Sequence, residues 1–141
     1  MALDVRGLTP LLSVYDMPTS VRFYRDLLGF DVAMHSATMD EVMFHWCLLR
    51  LGDAELMLNT EYEFNSERPA QRPPAFTDAH SKVGLYIGCP DVDTAYAQLK
   101  DKIPTLKKPF IANYGMKQMY LTDPDGYGLC FQWSAQESPQ S

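Results

Sequence analysis

The sequence predicts an α+β chain of two tandem strand–helix–three-strand (βαβββ) modules forming a curved mixed sheet with a concave cleft. Three observations predict it. The order of elements repeats at an offset of 75 residues, which carries Asp16 onto Asp91 and Tyr24 onto Leu99. Each half opens with a short apolar strand followed by an amphipathic helix. Each half then continues as apolar runs separated by turns that carry glycine and aspartate. Two such units, each curling a sheet, leave a face lined at alternate positions.

The first module spans about residues 7–59. "LTPLLSVYD" reads as a strand and "MPTSVRFYRDLLGF" as a helix. Pro18 is tolerated in a first turn. Val21, Tyr24, Leu27 and Leu28 share one helical face, and Gly29 is a C-terminal stop. "FDVAMHS" and "VMFHWCLLRL" read as strands separated by "ATMDE". "GDAELMLNT" completes a hairpin whose Gly52–Asp53 turn fixes the register.

Residues 60–80, "TEYEFNSERPAQRPPAFTDAH", form the connecting loop. Pro69, Pro73 and Pro74 argue against a regular element across it. The second module spans about residues 81–134, so that residues 1–141 read as one domain. "KVGLYIGCP" is a strand. "DVDTAYAQLKDK" is a helix capped by Asp91, with Asp93 at its positive end. "TLKKPFIA", "MKQMYLT" and "YGLCFQW" are strands, and Pro109 marks the first of them as an edge strand or a bulge. "DPDG" at 123–126 lacks the ligand spacing of a calcium loop and reads as a turn.

Composition narrows the function. The chain carries 12 basic and 18 acidic residues, a net charge of -6, which argues against nucleic acid. No apolar run is long enough to span a membrane. The N-terminus, with Asp4 and Arg6, does not read as a signal peptide, so the chain is expected in the cytoplasm. Cys47, Cys89 and Cys130 have no paired spacing and read as buried free thiols.

Strand alternation selects the residues of the concave face. A two-residue turn at Gly52–Asp53 places Arg50 opposite Glu55, Leu48 opposite Met57 and Trp46 opposite Asn59. The 75-residue offset carries Phe44 to Met119, Glu55 to Cys130 and Met57 to Gln132. The expected groove is Thr9, Leu11, Trp46, Glu55, Met57, Tyr86, Met119, Cys130 and Gln132. It is mostly apolar and aromatic with a few polar points, as small-molecule pockets are. Glu55 has three readings: an ion pair with Arg50 across the hairpin, a ligand-facing acceptor or base, or a single metal ligand.

"SVYDMPTSVRFYRDLLGF", "CPDVDTAYAQLK" and "YLTDPDGYGLCFQW" resemble the opening, middle and closing motifs of the glyoxalase/bleomycin-resistance/dioxygenase family, the vicinal oxygen chelate superfamily. The resemblance covers nearly the whole chain. It implies two βαβββ modules and a homodimer. The four ligands of the family's metalloenzymes fall on Thr9, Glu55, Gly84 and Cys130, of which only Glu55 keeps a typical ligand type. His35, His45 and His80 do not replace the missing groups by spacing. The resemblance is therefore strongest to the metal-free bleomycin-resistance branch. It implies metal-independent binding of a small organic molecule, cationic or aromatic, with antibiotic sequestration as the specific expectation and no cofactor. Two alternatives stand beside it: a metal-dependent lyase, isomerase or dioxygenase with an atypical site, and a non-catalytic structural or regulatory protein.

Overall fold

The computed structural model describes residues 2–39 and 43–136. Two compact units emerge, the first ending at Arg68 and the second starting at Pro69, with the short stretch Asp26–Leu28 counted in the second. Each unit builds a four-stranded mixed sheet.

The first unit runs β1 (Leu11–Val14), α1 (Met17–Val21), β2 (Asp31–His35), β3 (Thr38–Met39), β4 (Met43–Phe44), β5 (Trp46–Leu51) and β6 (Ala54–Thr60). Its sheet has the order β1-β6-β5-β2. β1 lies parallel to β6, and the other pairs are antiparallel. Asp16 caps α1 by accepting from the Thr19 backbone N–H at 3.2 Å and the Thr19 hydroxyl at 2.5 Å. The Arg68 guanidinium pairs with the same carboxylate and lies 5.3 Å from the Tyr15 ring centre. α1 continues as a π-helical turn over Arg22–Leu27. Gly29 then ends it at φ +94°, a conformation that side chains rarely adopt.

One face of this sheet is core: Leu12, Val14, Cys47, Leu49, Leu56 and Leu58 are buried, as are Val21 and Tyr24 of the helix. Each fully buried leucine contributes about 1.5–3 kcal/mol of transfer free energy. The strand expected over 42–51 is broken. Its first residue, Val42, lies outside the described residues. Met43–Phe44 pairs with Thr38–Met39 in a separate ribbon, and β5 begins only at Trp46. The cause is local. The Ser36 hydroxyl accepts the backbone N–H of both His45 and Trp46, at 3.1 and 3.2 Å, which takes these donors out of a continuous ladder.

The second unit runs α2 (Pro74–His80), β7 (Gly84–Gly88), α3 (Val92–Leu99), β8 (Phe110–Ile111), β9 (Met116–Thr122) and β10 (Gly128–Ser134). Its sheet has the order β7-β10-β9-β8, with β7 parallel to β10. Of the strand expected over 105–112 only Phe110–Ile111 forms, and this β8 is an edge strand directly after Pro109. Asp91 caps α3 by accepting from the Thr94 N–H at 3.0 Å. Val92, Leu99, Met119, Leu121, Leu129 and Phe131 are buried.

The connecting segment is more regular than its prolines suggest. Pro74 begins α2 in the first turn, where a missing N–H costs nothing. The helix is fastened to the closing turn. The His80 ring stacks on Tyr127 with centroids 4.0 Å apart. His80 Nδ1 donates to the Asp125 carbonyl at 2.9 Å, which leaves Nε2 to accept from the Tyr127 hydroxyl at 3.1 Å. Arg72 Nε meets the buried Asp125 carboxylate at 2.9 Å. The DPDG stretch is a turn, as expected: the Asp123 carboxylate accepts from the backbone N–H groups of Asp125 and Tyr127 at 2.8 and 3.0 Å.

Candidate functional site

Each sheet turns one face to its core, and all but one of the candidate residues lie on the other. In the first unit the register is the expected one: Arg50 opposes Glu55, Leu48 opposes Met57 and Trp46 opposes Asn59. Three rows cross the non-core face. The first is polar, with Thr9, Glu55, Arg50 and Asp31. The second is apolar, with Leu11, Met57, Leu48 and Met34 in register across all four strands. The third holds Ser13, Asn59 and Trp46. Leu11 is 55% exposed and Met34 57% exposed. Of the expected groove residues, Thr9, Leu11, Trp46, Glu55 and Met57 therefore share this face.

Glu55 is the cross-hairpin ion pair. Arg50 Nε bonds one carboxylate oxygen, and the Thr9 hydroxyl donates to the other at 3.5 Å. Both oxygens thus have protein donors, and the pair is half exposed.

In the second unit Tyr86, Cys130 and Gln132 share the non-core face, as expected. Met119 does not. It opposes Phe131, is fully buried and belongs to the core. The residues that β9 sends to the Cys130 face are Gln118 and Tyr120, opposite Gln132 and Cys130. The reason is parity. In the first hairpin two residues separate Leu51 from Ala54, whereas in the second the five residues 123–127 separate Thr122 from Gly128. The connection is longer by an odd number, so a constant 75-residue offset puts every β9 side chain on the wrong face. Counting the longer DPDGY turn would have found Gln118 and Tyr120.

These residues form a connected aromatic–amide platform. Phe110 stacks on Tyr120 at 5.9 Å, and Tyr86 meets Tyr120 edge-on at 6.5 Å. The Tyr120 hydroxyl donates to Gln118 Oε1 at 3.2 Å. The Tyr86 hydroxyl lies 3.3 Å from the Tyr120 hydroxyl and shares a hydrogen bond with it. Gln118 Nε2 donates to Gln132 Oε1 at 2.9 Å and to the Tyr114 hydroxyl. Gln118 is only 2% exposed, yet all its polar atoms are bonded. Beside the platform lies a pocket of ≈ 190 Å³ lined by Gly84, Tyr86, Tyr120, Gly128 and Cys130 among others.

The platform is neutral. The hydrogen bond with Tyr86, then burial, holds the Tyr120 phenol above its ordinary range. Burial pushes the Cys130 thiol up, against an opposing pull from the Tyr120 hydroxyl. Cys47 is also a buried free thiol, while Cys89 is only half-buried.

The family's metal positions fit a divalent ion poorly. Thr9 is a neutral hydroxyl, Glu55 is engaged by Arg50, and Gly84 has no side chain. Cys130, held protonated, is a weak ligand. Register separates it further from the expected pattern. Gly84 pairs with Gly128, while Cys130 pairs with Tyr86. If Thr9 corresponds to Gly84, Glu55 corresponds to Gly128 and not to Cys130. Among the described residues no three His, Cys, Asp or Glu side chains group to hold a metal. His35 stacks on Phe44 and His45 packs edge-on to Phe64, so both are packing histidines.

Comparison with known proteins agrees with this architecture. The chain matches the Glyoxalase/Bleomycin resistance protein/Dioxygenase superfamily over residues 8–131 and belongs to that family. A bleomycin-binding protein solved with bleomycin is similar in structure at TM-score 0.67 and 22% identity, over 92% of this chain and 99% of the other. The bleomycin-binding protein of Streptomyces verticillus, solved with copper(II)-bleomycin, gives TM-score 0.66 and 18% identity, over 92% and 97%. An antibiotic-binding protein from Streptomyces sp. CB03234 gives TM-score 0.64 and 20% identity, over 94% and 99%. At these identities the likeness establishes the fold. Comparison with curated proteins finds no match. Among the described residues no helix is long and apolar enough to cross a membrane.

Proposed function

We propose that this protein binds a small organic molecule without chemistry and without a metal, on the non-core sheet faces described above. The observation that carries the reading is the pairing of a satisfied aromatic–amide platform with family metal positions that hold no usable ligand set. Aromatic faces and a flat apolar row recognise rings by stacking and area. The bonded Gln118–Gln132 amides add fixed polar points. The row with Met57 and Met34 supplies an adaptable surface. Thr9, Leu11, Trp46, Glu55 and Met57 are the proposed contacts in the first unit. Tyr86, Cys130 and Gln132, joined by Tyr120, are those of the second.

The bleomycin- and antibiotic-binding relatives in fold support sequestration of an antibiotic-like molecule as the role. Of the two ligand characters open from sequence, cationic and aromatic, the platform supports the aromatic one. The reading takes residues 7–59 and 81–134 as two modules of one ligand-binding domain joined by 60–80. It takes a homodimer in the cytoplasm as the working form, on the strength of the family resemblance.

Thermal denaturation with a panel of aromatic antibiotics, metal-free bleomycin included, tests the proposal. A ligand at 100 times its Kd adds about 2.7 kcal/mol of stability, or a rise of about 8 °C for a chain of this size. The expected result is a saturable rise with EDTA present and a chemically unchanged ligand. Consumption of a ligand only when a divalent metal is supplied would overturn it.

A further inference from the structure

The pocket beside Tyr120 owes its existence to two glycines that the backbone does not require. Gly84 and Gly128 are cross-strand partners at one level of the β7–β10 pair. Neither has the positive φ seen at Gly29, Gly52, Gly115 and Gly126. Glycine weakens a strand interior, so its presence on both strands has one structural result: a flat floor without side chains. A Cβ on Gly84 would meet the Tyr86 ring at 3.4 Å, and one on Gly128 would meet the Val83 carbonyl oxygen at 3.4 Å. The Tyr86 ring therefore stands as a wall against this floor, with Tyr120 beside it.

The volume, ≈ 190 Å³, lies below the roughly 300–1,000 Å³ of sites that enclose a drug-sized molecule. It suits one fused ring system. The charge around it is unlike that of the whole chain. Among the described residues Lys82 is the only Lys, Arg, Asp or Glu lining the pocket. Among the described residues no carboxylate pairs with it. The acidic excess of the chain acts from elsewhere and is screened over about 8 Å at physiological salt, so the local cation decides.

We propose that this pocket receives a flat aromatic ring system bearing an anionic group, a carboxylate or phenolate directed at Lys82, with the ring on the glycine floor against Tyr86. This inference rests on the small-molecule reading and names the class of ligand.

Three probes share one ring and differ in charge: 2-naphthoate, naphthalene-2-carboxamide and 2-naphthylmethylammonium. Each is titrated calorimetrically into the full chain. The expected order is naphthoate about tenfold tighter than the amide, with the ammonium weakest, as a partly solvated charge contact allows. Lys82→Gln should abolish the naphthoate advantage and leave the amide unchanged, and 1 M salt should do the same. Gly128→Val should lose all three probes with circular dichroism intact, and Gly84→Ala should weaken them if the valine variant misfolds. Tightest binding by the ammonium, or an anion preference that survives Lys82→Gln, would overturn the assignment. If none of the probes binds but an antibiotic of the thermal panel does, the ligand class is wrong and the small-molecule reading stands. If nothing binds in either experiment, the reading itself fails.

Discussion

Replacing Met119 and replacing Tyr120 should have opposite consequences, although the two residues are adjacent. Met119 is fully buried and opposes Phe131 in the core, whereas Tyr120 opposes Cys130 on the platform. Met119→Ala removes a buried side chain and leaves a cavity, a change that costs about 2–5 kcal/mol. At about 3 °C per kcal/mol for a chain of this length, the midpoint falls by about 6–15 °C. The affinity of the folded protein for 2-naphthoate, measured well below the transition, should stay within about twofold. Tyr120→Phe removes only a hydroxyl whose bonds to Gln118 and Tyr86 are 3.2 and 3.3 Å long. Its stability cost should be about 1 kcal/mol. Its affinity loss should exceed that of Met119→Ala, because the hydroxyl orders both tyrosines at the pocket. Paired chemical denaturation and calorimetry decide the matter. Lost binding at unchanged stability in Met119→Ala, with Tyr120→Phe silent, would refute the assignment of faces.

Other expectations concern single groups. Burial pushes the Cys47 thiol up from 9.0 to about 11. A folded-state pKa above the unfolded one gives stability that is complete below pH 9 and is lost as pH rises through 11. The loss of stability across that window in denaturation curves should therefore be about 2–3 kcal/mol larger in the unmodified protein than in Cys47→Val. Gly126→Ala places a Cβ 2.7 Å from the Thr77 carbonyl oxygen at φ +93°. It should cost at least about 2 kcal/mol in urea denaturation and loosen α2, seen as faster amide exchange over 74–80. Glu55→Gln breaks a half-exposed ion pair with Arg50. It should cost no more than about 1 kcal/mol by the same assay.

The contrast between the two hairpins explains what was legible in the sequence. Gly52–Asp53 is a two-residue turn, so every cross-strand pair from Trp46–Asn59 to Leu51–Ala54 follows from counting. The second hairpin was read by analogy with the first, and its longer turn reversed the parity, which moved Met119 into the core. The helix caps at Asp16 and Asp91 were legible because capping is local. α2 was not. Prolines mark a helix start as readily as a break, and only its tertiary fastening to Asp125 and Tyr127 decides between them. The break at His45 depends on the Ser36 side chain, nine residues away, which no periodicity reports. The Gln118 network was hidden for the same reason: a buried glutamine looks polar in sequence, and only its three partners make its burial tolerable.

The most direct test of the central claim is a titration of 2-naphthoate and the antibiotic panel into protein stripped with chelator, repeated after incubation with Mg, Mn, Fe(II), Co, Ni and Zn salts and desalting. The account requires a saturable stoichiometric complex with the same Kd in both preparations and no retained metal. A ligand that binds or reacts only in the metal-treated protein, with metal retained and lost again in Glu55→Gln, would contradict it.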